Sequence, residues 1–96
     1  MDNKLTLSAR VVSVSSLRYT PAGVPVLSMM LKHQSEQIES GKSRIVECEL
    51  AAKFLGQEAL NWQYVQDKAV LVSGFLSQKS LRSTQVILHI QTIELI

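Results

Sequence analysis

The chain has 96 residues, 46% of them apolar and 19% charged, with a formal net charge of +2. That length allows one domain, residues 1–96, whose core hides only about 60–70% of the unfolded chain's surface, so self-association would help it. No apolar run nears the roughly 20 residues that cross a bilayer, and the one cysteine, Cys48, excludes an intrachain disulfide or a zinc cluster.

The first residues, Met1-Asp2-Asn3-Lys4, lead straight into a strand pattern. They show no charged region followed by a long apolar core and a cleavage site, so a soluble cytoplasmic protein without membrane partners is expected. Lys4–Ser15 reads as the first strand. Leu5, Leu7, Ala9 and Val11 share one parity, whereas Val12 and Val14 take the other. A swap midway predicts a long, bent strand that serves two parts of a barrel. Its polar residues Thr6, Ser8 and Arg10 would face outward or meet a partner subunit.

Ser15–Pro25 is a loop, punctuated by Pro21, Gly23 and Pro25. Arg18 and Tyr19 stand in it, and Tyr19 reads equally as an amphipathic rim residue or as a platform on which bases stack. Val26–His33 is the second strand, apolar on both parities, followed by a polar and mobile loop, Gln34–Ser43. The third strand, Arg44–Ala51, interleaves Glu47 and Glu49 with Val46, Cys48 and Leu50, which predicts one exposed face and a packing role for Cys48. Ala52–Gln66 carries Phe54, Leu55, Ala59, Leu60 and Trp62 at mixed three- and four-residue spacings, and reads as a short helix despite Gly56. Such a helix could plug the open end of a five-stranded barrel, with Trp62 and Tyr64 packed on its floor.

Ala69–Leu76 and Gln85–Leu95 are the last two strands. Gly74 interrupts the first and marks a bulge or sharp bend. In the second, apolar residues at 86, 88 and 90 give way to 93 and 95, so a bulge is expected between Ile90 and Ile93. The loop between these strands, Ser77–Thr84, is rich in hydroxyls and holds Lys79 and Arg82. Two bent neighbouring strands suit a small closed barrel, so the fold class is all-β.

No set of groups for catalysis emerges. The two histidines, His33 and His89, are not at metal-ligand spacing from other donors; no phosphate-cradling glycine loop or nucleophile elbow is present. Glu47 and Glu49, two apart on a strand, mark a solvated face rather than a catalytic pair. The expectation is a protein without enzymatic activity, metal or cofactor. Binding is better supported. Arg18, Tyr19, Lys32, His33, Lys42, Arg44, Lys79 and Arg82 fall in or beside the connections. Gathered on one side, these cations would hold the phosphates of a single strand while Tyr19 and His33 met bases or sugars. With aromatic residues at only 5%, charge must dominate, and salt dependence should be strong.

Asn3-x-Leu5-x-Leu7-Ser8, Pro21-x-Gly23-x-Pro25, Leu31-x-His33-x-Ser35-x-Gln37, Gly41, Arg44, Cys48, Gly74-Phe75 and Leu88-His89 with Gln91-x-Ile93-Glu94-Leu95-Ile96 occur in one joint spacing. In this the chain resembles the primosomal replication protein N family, small replication-restart proteins of the single-stranded-DNA-binding-protein superfamily. The resemblance implies an OB-fold, in which the short helix read above falls between strands three and four, and a homodimer joined mainly through the first strands. It also implies single-stranded DNA binding and partnership with the restart helicase and a helicase-loader accessory of the primosome. It places basic DNA contacts at Arg44, Lys79 and Arg82. Where family members can carry a tryptophan before the cysteine, an aromatic after Gly41 and a cation after His33, this chain has Glu47, Lys42 and Gln34. Those departures imply weaker DNA affinity and more weight on protein contacts. A pure protein-interaction adaptor is the competing expectation.

Overall fold

Period-two alternation sets the long strands, and two lapses in it set where they bend. The computed structural model describes residues 1–96. Its strands are β1 (Leu5–Val14), β2 (Arg18–Tyr19), β3 (Pro25–Glu39), β4 (Lys42–Leu55), β5 (Ala69–Gln78) and β6 (Val86–Leu95), with a 3-10 helix, Gln57–Trp62, before β5. The sheet runs β1-β5-β6-β4-β3-β2, and a further β1–β3 pairing closes the five long strands into a barrel. β2 is a two-residue addition at the edge of β3. β4 meets β6 in a short parallel ladder, Ala52↔Leu88 to Phe54↔Ile90.

The bend expected in the first strand and the bulge expected in the last both appear as register shifts. In β1 the register with β3 passes from Val11↔Leu31 to Ser13↔Met30, leaving Val12 as the extra residue. That slip lets Ala9 and Val11 face the core while Val12 is turned out, and returns Val14 to the inner side. In β6 the pairing with β5 passes from Thr92↔Ser73 to Ile90↔Gly74, so Gln91 is the inserted residue. Gly74 faces that bulge because nothing larger fits. A Cβ there would lie 1.8 Å from the carbonyl oxygen of His89 and 2.8 Å from its carbon.

The core is one cluster fed by all five long strands. Val11, Leu27, Leu31, Val70, Val72 and Leu88 are fully buried within it. No buried side-chain nitrogen or oxygen lacks a partner.

Three sequence expectations are corrected. First, Ala52–Gln66 is not a helix throughout. Ala52 and Phe54 are inward residues of β4, at strand spacing, and Gly56 at φ 117° ends that strand. Only Gln57–Trp62 is helical, and it is 3-10: buried Ala59 and half-buried Trp62 stand three residues apart, the period of that helix, and buried Val65 follows just beyond it. It packs against the barrel end, as a plug should. Tyr64 lies beyond it with 90% of its surface exposed, and does not pack on the floor.

Second, Gln34–Ser43 is ordered hairpin rather than a loop. β3 and β4 pair without a break from Val26↔Leu55 to Glu39↔Lys42, and turn through Ser40 and Gly41 at φ 54° and 77°. The turn's two positive φ values give it the twist of a tight two-residue hairpin. No other strand pairs with the outer part of this ribbon, and the molecule is 50 Å along its longest axis. Third, Cys48 is exposed on that ribbon, opposite His33, and packs in no core.

Candidate nucleic-acid interface

Strand parity sorts the cations before any contact is considered. Along β3, Leu27, Met29 and Leu31 point into the barrel; directly opposite on β4 are Phe54, Ala52 and Leu50. Residues of the other parity therefore form the outer face: Ser28, Met30, Lys32, Gln34 and Glu36 on β3, facing Lys53, Ala51, Glu49, Glu47 and Ile45 on β4.

A groove of about 540 Å³ opens on that outer face, where β3 and β4 meet the first loop and the β5–β6 loop. Its floor is apolar, built from Val14, Met30, Ala51 and Ile87, and its rim carries Arg18, Lys53 and Lys79 with no carboxylate among the lining residues. The three cations come from three separate parts of the chain. Arg18 sits on β2, which is fixed by its pairing with Val26, and its Nη2 lies 3.5 Å from Ser28 Oγ. The end of the first loop is tied to the same strand: Ser15 N–H donates to the Ser28 carbonyl at 2.8 Å and Ser28 N–H donates to Ser15 Oγ at 3.2 Å. Lys53 is half-buried on β4, and neighbouring Tyr19, 60% exposed, shares a shallow hollow with Arg18 and Lys53.

Lys79 begins the β5–β6 loop, an ordered structure. Lys79 N–H donates to the Gln85 carbonyl at 2.9 Å, Ser83 N–H donates to the Ser80 carbonyl at 3.1 Å, and Gln78 Nε2 donates to the Ser83 carbonyl at 2.8 Å. Arg82 occupies the tip of this loop beside Leu81, which is 98% exposed, and does not line the groove.

The other expected site residues are placed elsewhere. Lys32 is on the outer face but across from Glu49, and lines a separate hollow with Arg10 where β1 and β3 diverge. Lys42 and Arg44 lie near the ribbon tip on the parity of Leu50 and Ala52, so they face away from the groove side. Arg44 is eight residues from Ala52, roughly 26 Å at the strand rise, and its Nη1 pairs with Glu39 Oε1 at 2.5 Å. The expected cations are thus not gathered into one groove; the structure brings Arg18 and Lys79 together and leaves Lys42, Arg44 and Arg82 apart.

His33 is a strut. Its Nδ1 is 2.6 Å from the Ser8 carbonyl, which can only accept, so Nδ1 donates and Nε2 accepts from Ser35 Oγ at 2.7 Å. Gln37 Nε2 completes the chain by donating to Ser35 Oγ at 3.0 Å. Nδ1 joins β3 to the otherwise unpaired edge of β1 and Nε2 is held by Ser35 within β3, which leaves His33 without a free polar atom for a base.

Two functional features escape a reading of the sequence. Lys53 falls in the stretch that reads as helix, so its outward strand position is hidden. The second is an aromatic pair: Lys53 is in register with His89, and His89 with Phe75. The Phe75 and His89 rings stack with centroids 4.9 Å apart and planes 2° from parallel. This half-exposed pair continues the row Ser28–Lys53 across the barrel wall. Its signal in the sequence was the odd parity shared by Phe75 and His89 against the core residues beside them.

Elsewhere no three His, Cys, Asp or Glu side chains approach closely enough to hold a metal ion, and no helix is long and apolar enough to cross a membrane.

Comparison with known proteins places the chain in a family and a fold. Residues 3–92 match the model of a family described as another single-strand binding protein family. Replication restart protein PriB of Neisseria meningitidis serogroup B is 47% identical over 93 residues, covering 97% of this chain and 93% of that protein. The protein of the same name from Bordetella pertussis is 41% identical over 90 residues, covering 93% and 84% respectively. Among solved structures, PriB from Ralstonia solanacearum superposes with a TM-score of 0.88 at 28% identity, over 99% of this chain and 98% of that one. The single-stranded DNA binding protein of Thermus aquaticus shares the fold, with a TM-score of 0.77 at 24% identity over half of its own length. The barrel, with its 3-10 plug, is the OB-fold of these proteins.

Proposed function

Because the chain belongs to the PriB family of replication restart proteins, we propose that it binds single-stranded DNA at the groove rimmed by Arg18, Lys53 and Lys79. The observation that carries this reading is the groove's composition. Three cations from separate elements surround an apolar floor with no acid among them. Phosphates would meet the cations and release counterions, while bases lie on Met30, on Tyr19 and against the Phe75–His89 pair. None of these contacts distinguishes one base from another, so binding is without sequence preference. The scarcity of free aromatic faces keeps it weak.

Binding of this kind needs no enzymatic activity, and the protein would act in the cytoplasm, where bacterial forks are restarted. Its service there would be assembly: holding the strand while it meets the restart helicase and the helicase-loader accessory of the primosome. A homodimer joined through the first strands fits the unpaired edge of β1 from Leu5 to Ser8, which only His33 touches. Two grooves per dimer would raise the effective concentration of a long strand at the second site. Lys42, Arg44 and Arg82 would add contacts only for a strand that leaves the groove.

A second reading, a protein-interaction adaptor, is favoured by the exposed carboxylates Glu47 and Glu49 on the groove's own face. Fluorescence anisotropy with labelled oligo-dT separates the two. Three phosphate contacts per groove predict a log–log salt slope of about −2 for one groove and about −4 when both grooves of a dimer engage one strand. Absence of salt-sensitive binding at high micromolar protein would support the adaptor and overturn the DNA reading.

A further inference from the structure

The outer face of the β3–β4 ribbon changes sign along its length. At the barrel it carries Lys53 and the cations beside it; one cross-strand row further on are neutral Met30 and Ala51. The next rows pair Lys32 with Glu49, then Gln34 with Glu47, then Glu36 with Ile45. Lys32 is the one cation in that stretch. Glu49 and Glu47 are both exposed and form no ion pair; the molecule's single ion pair joins Arg44 to Glu39 on the opposite face. From Lys53 to Glu49 is about 13 Å and to Glu47 about 20 Å at the strand rise.

We infer that Glu49 and Glu47 act as a fence that ends the nucleic-acid track at the groove and keeps a single strand from running out along the ribbon. The inference rests on the groove being the DNA site. A phosphate on Lys53 lies beyond the roughly 8 Å screening length from either carboxylate, so a short strand is indifferent to them. A longer strand laid along the ribbon would place its next phosphates beside them. There each unneutralised carboxylate about 5 Å from a phosphate weakens binding about twofold once screening is included, and the pair roughly fivefold. The strand therefore leaves across the barrel wall, toward His89 and Phe75, and each protomer holds about four nucleotides, the short end of the range for this fold. The ribbon's acidic face stays free while DNA is bound.

The test compares the full chain with Glu47→Gln/Glu49→Gln, using labelled oligo-dT of about four and about twelve nucleotides at one salt concentration. Both side chains are exposed and the amide is isosteric, so folding is spared. A second variant, Glu58→Gln/Glu94→Gln, makes the same change in net charge at exposed positions on the 3-10 helix and β6. The fence predicts that the first variant binds the short oligomer as the parent does and the long one roughly fivefold more tightly, while the second shows no such length dependence. An equal gain at both lengths, an equal effect of the control pair, or no gain at all would overturn the fence and leave the groove standing. Failure of all three proteins to bind either oligomer would overturn the groove as a DNA site, and the fence with it.

Discussion

Replacing Gly74 by alanine puts a methyl group where the backbone of β6 already is. The added carbon would lie 1.8 Å from the His89 oxygen, 2.8 Å from the His89 carbon and 3.1 Å from Ile90 Cα. A carbon–oxygen contact needs about 3.3 Å, so β6 must retreat by roughly 1.5 Å at this point. The atoms in the way are main chain and have no rotamer to change. Retreat stretches the Gly74↔Ile90 and Phe75↔His89 pairings at the bulge and separates the stacked Phe75 and His89 rings. Overpacking of this kind costs about 1–3 kcal/mol, and a ladder hydrogen bond and an aromatic pair each add about 1 kcal/mol. The sum is about 3–5 kcal/mol. In a domain of this length 1 kcal/mol shifts the melting temperature by about 4–8 °C, so Gly74→Ala should melt at least about 12 °C below the parent, or not fold. Circular dichroism melts of the two proteins measure it. A variant within about 3 °C of the parent would refute the argument that close approach, rather than turn flexibility, selects glycine here.

Lys53→Ala should weaken oligo-dT binding several-fold and make the log–log salt slope shallower by about 0.7, the share of one phosphate; Lys53→Ala with Lys79→Ala should double the loss of slope. Lys42→Ala with Arg44→Ala should leave binding of a short oligomer unchanged, because those residues face away from the groove; equal losses from both pairs would move the site to the ribbon. His33→Ala removes the hydrogen bond that joins β3 to β1 at Ser8 and a second one to Ser35 within β3, at about 0.5–1.5 kcal/mol each, and denaturant melts should show a total loss of about 1–3 kcal/mol. An unchanged midpoint would mean that the strut carries no load.

Both bends of the barrel were legible in the sequence, because a bulge in a half-buried strand must shift the parity of its apolar residues. Val11 to Val14 and Ile90 to Ile93 each show that shift. The outer ribbon was not legible. From Gln34 to Glu39 polar residues occupy both parities, and with no core beneath them neither face is marked, so the stretch has the composition of a loop. The end of β4 was lost for the opposite reason: Ala52, Phe54, Ala59 and Trp62 belong to two elements whose apolar residues together imitate one helix. That error concealed Lys53. Chemistry at the groove was half visible, since Arg18 and Lys79 stand in connections. Whether a cation on the ribbon faces the groove depends on a pairing register that no local pattern states. Arg44 and Glu49 differ by one parity, and that step sends them to opposite sides.

The His33 strut stands at the last point where the ribbon touches the rest of the molecule. Beyond it, from Ser35 to Val46, the two strands hold only each other, and a two-stranded hairpin alone is marginally stable in water. This segment can therefore unzip from Ser40–Gly41 inward and reclose while the barrel stays shut, at a small fraction of the free energy of global unfolding. A protein that grips the tip meets a surface whose order it can itself complete, and the loss of that order cannot spread past the imidazole into the core.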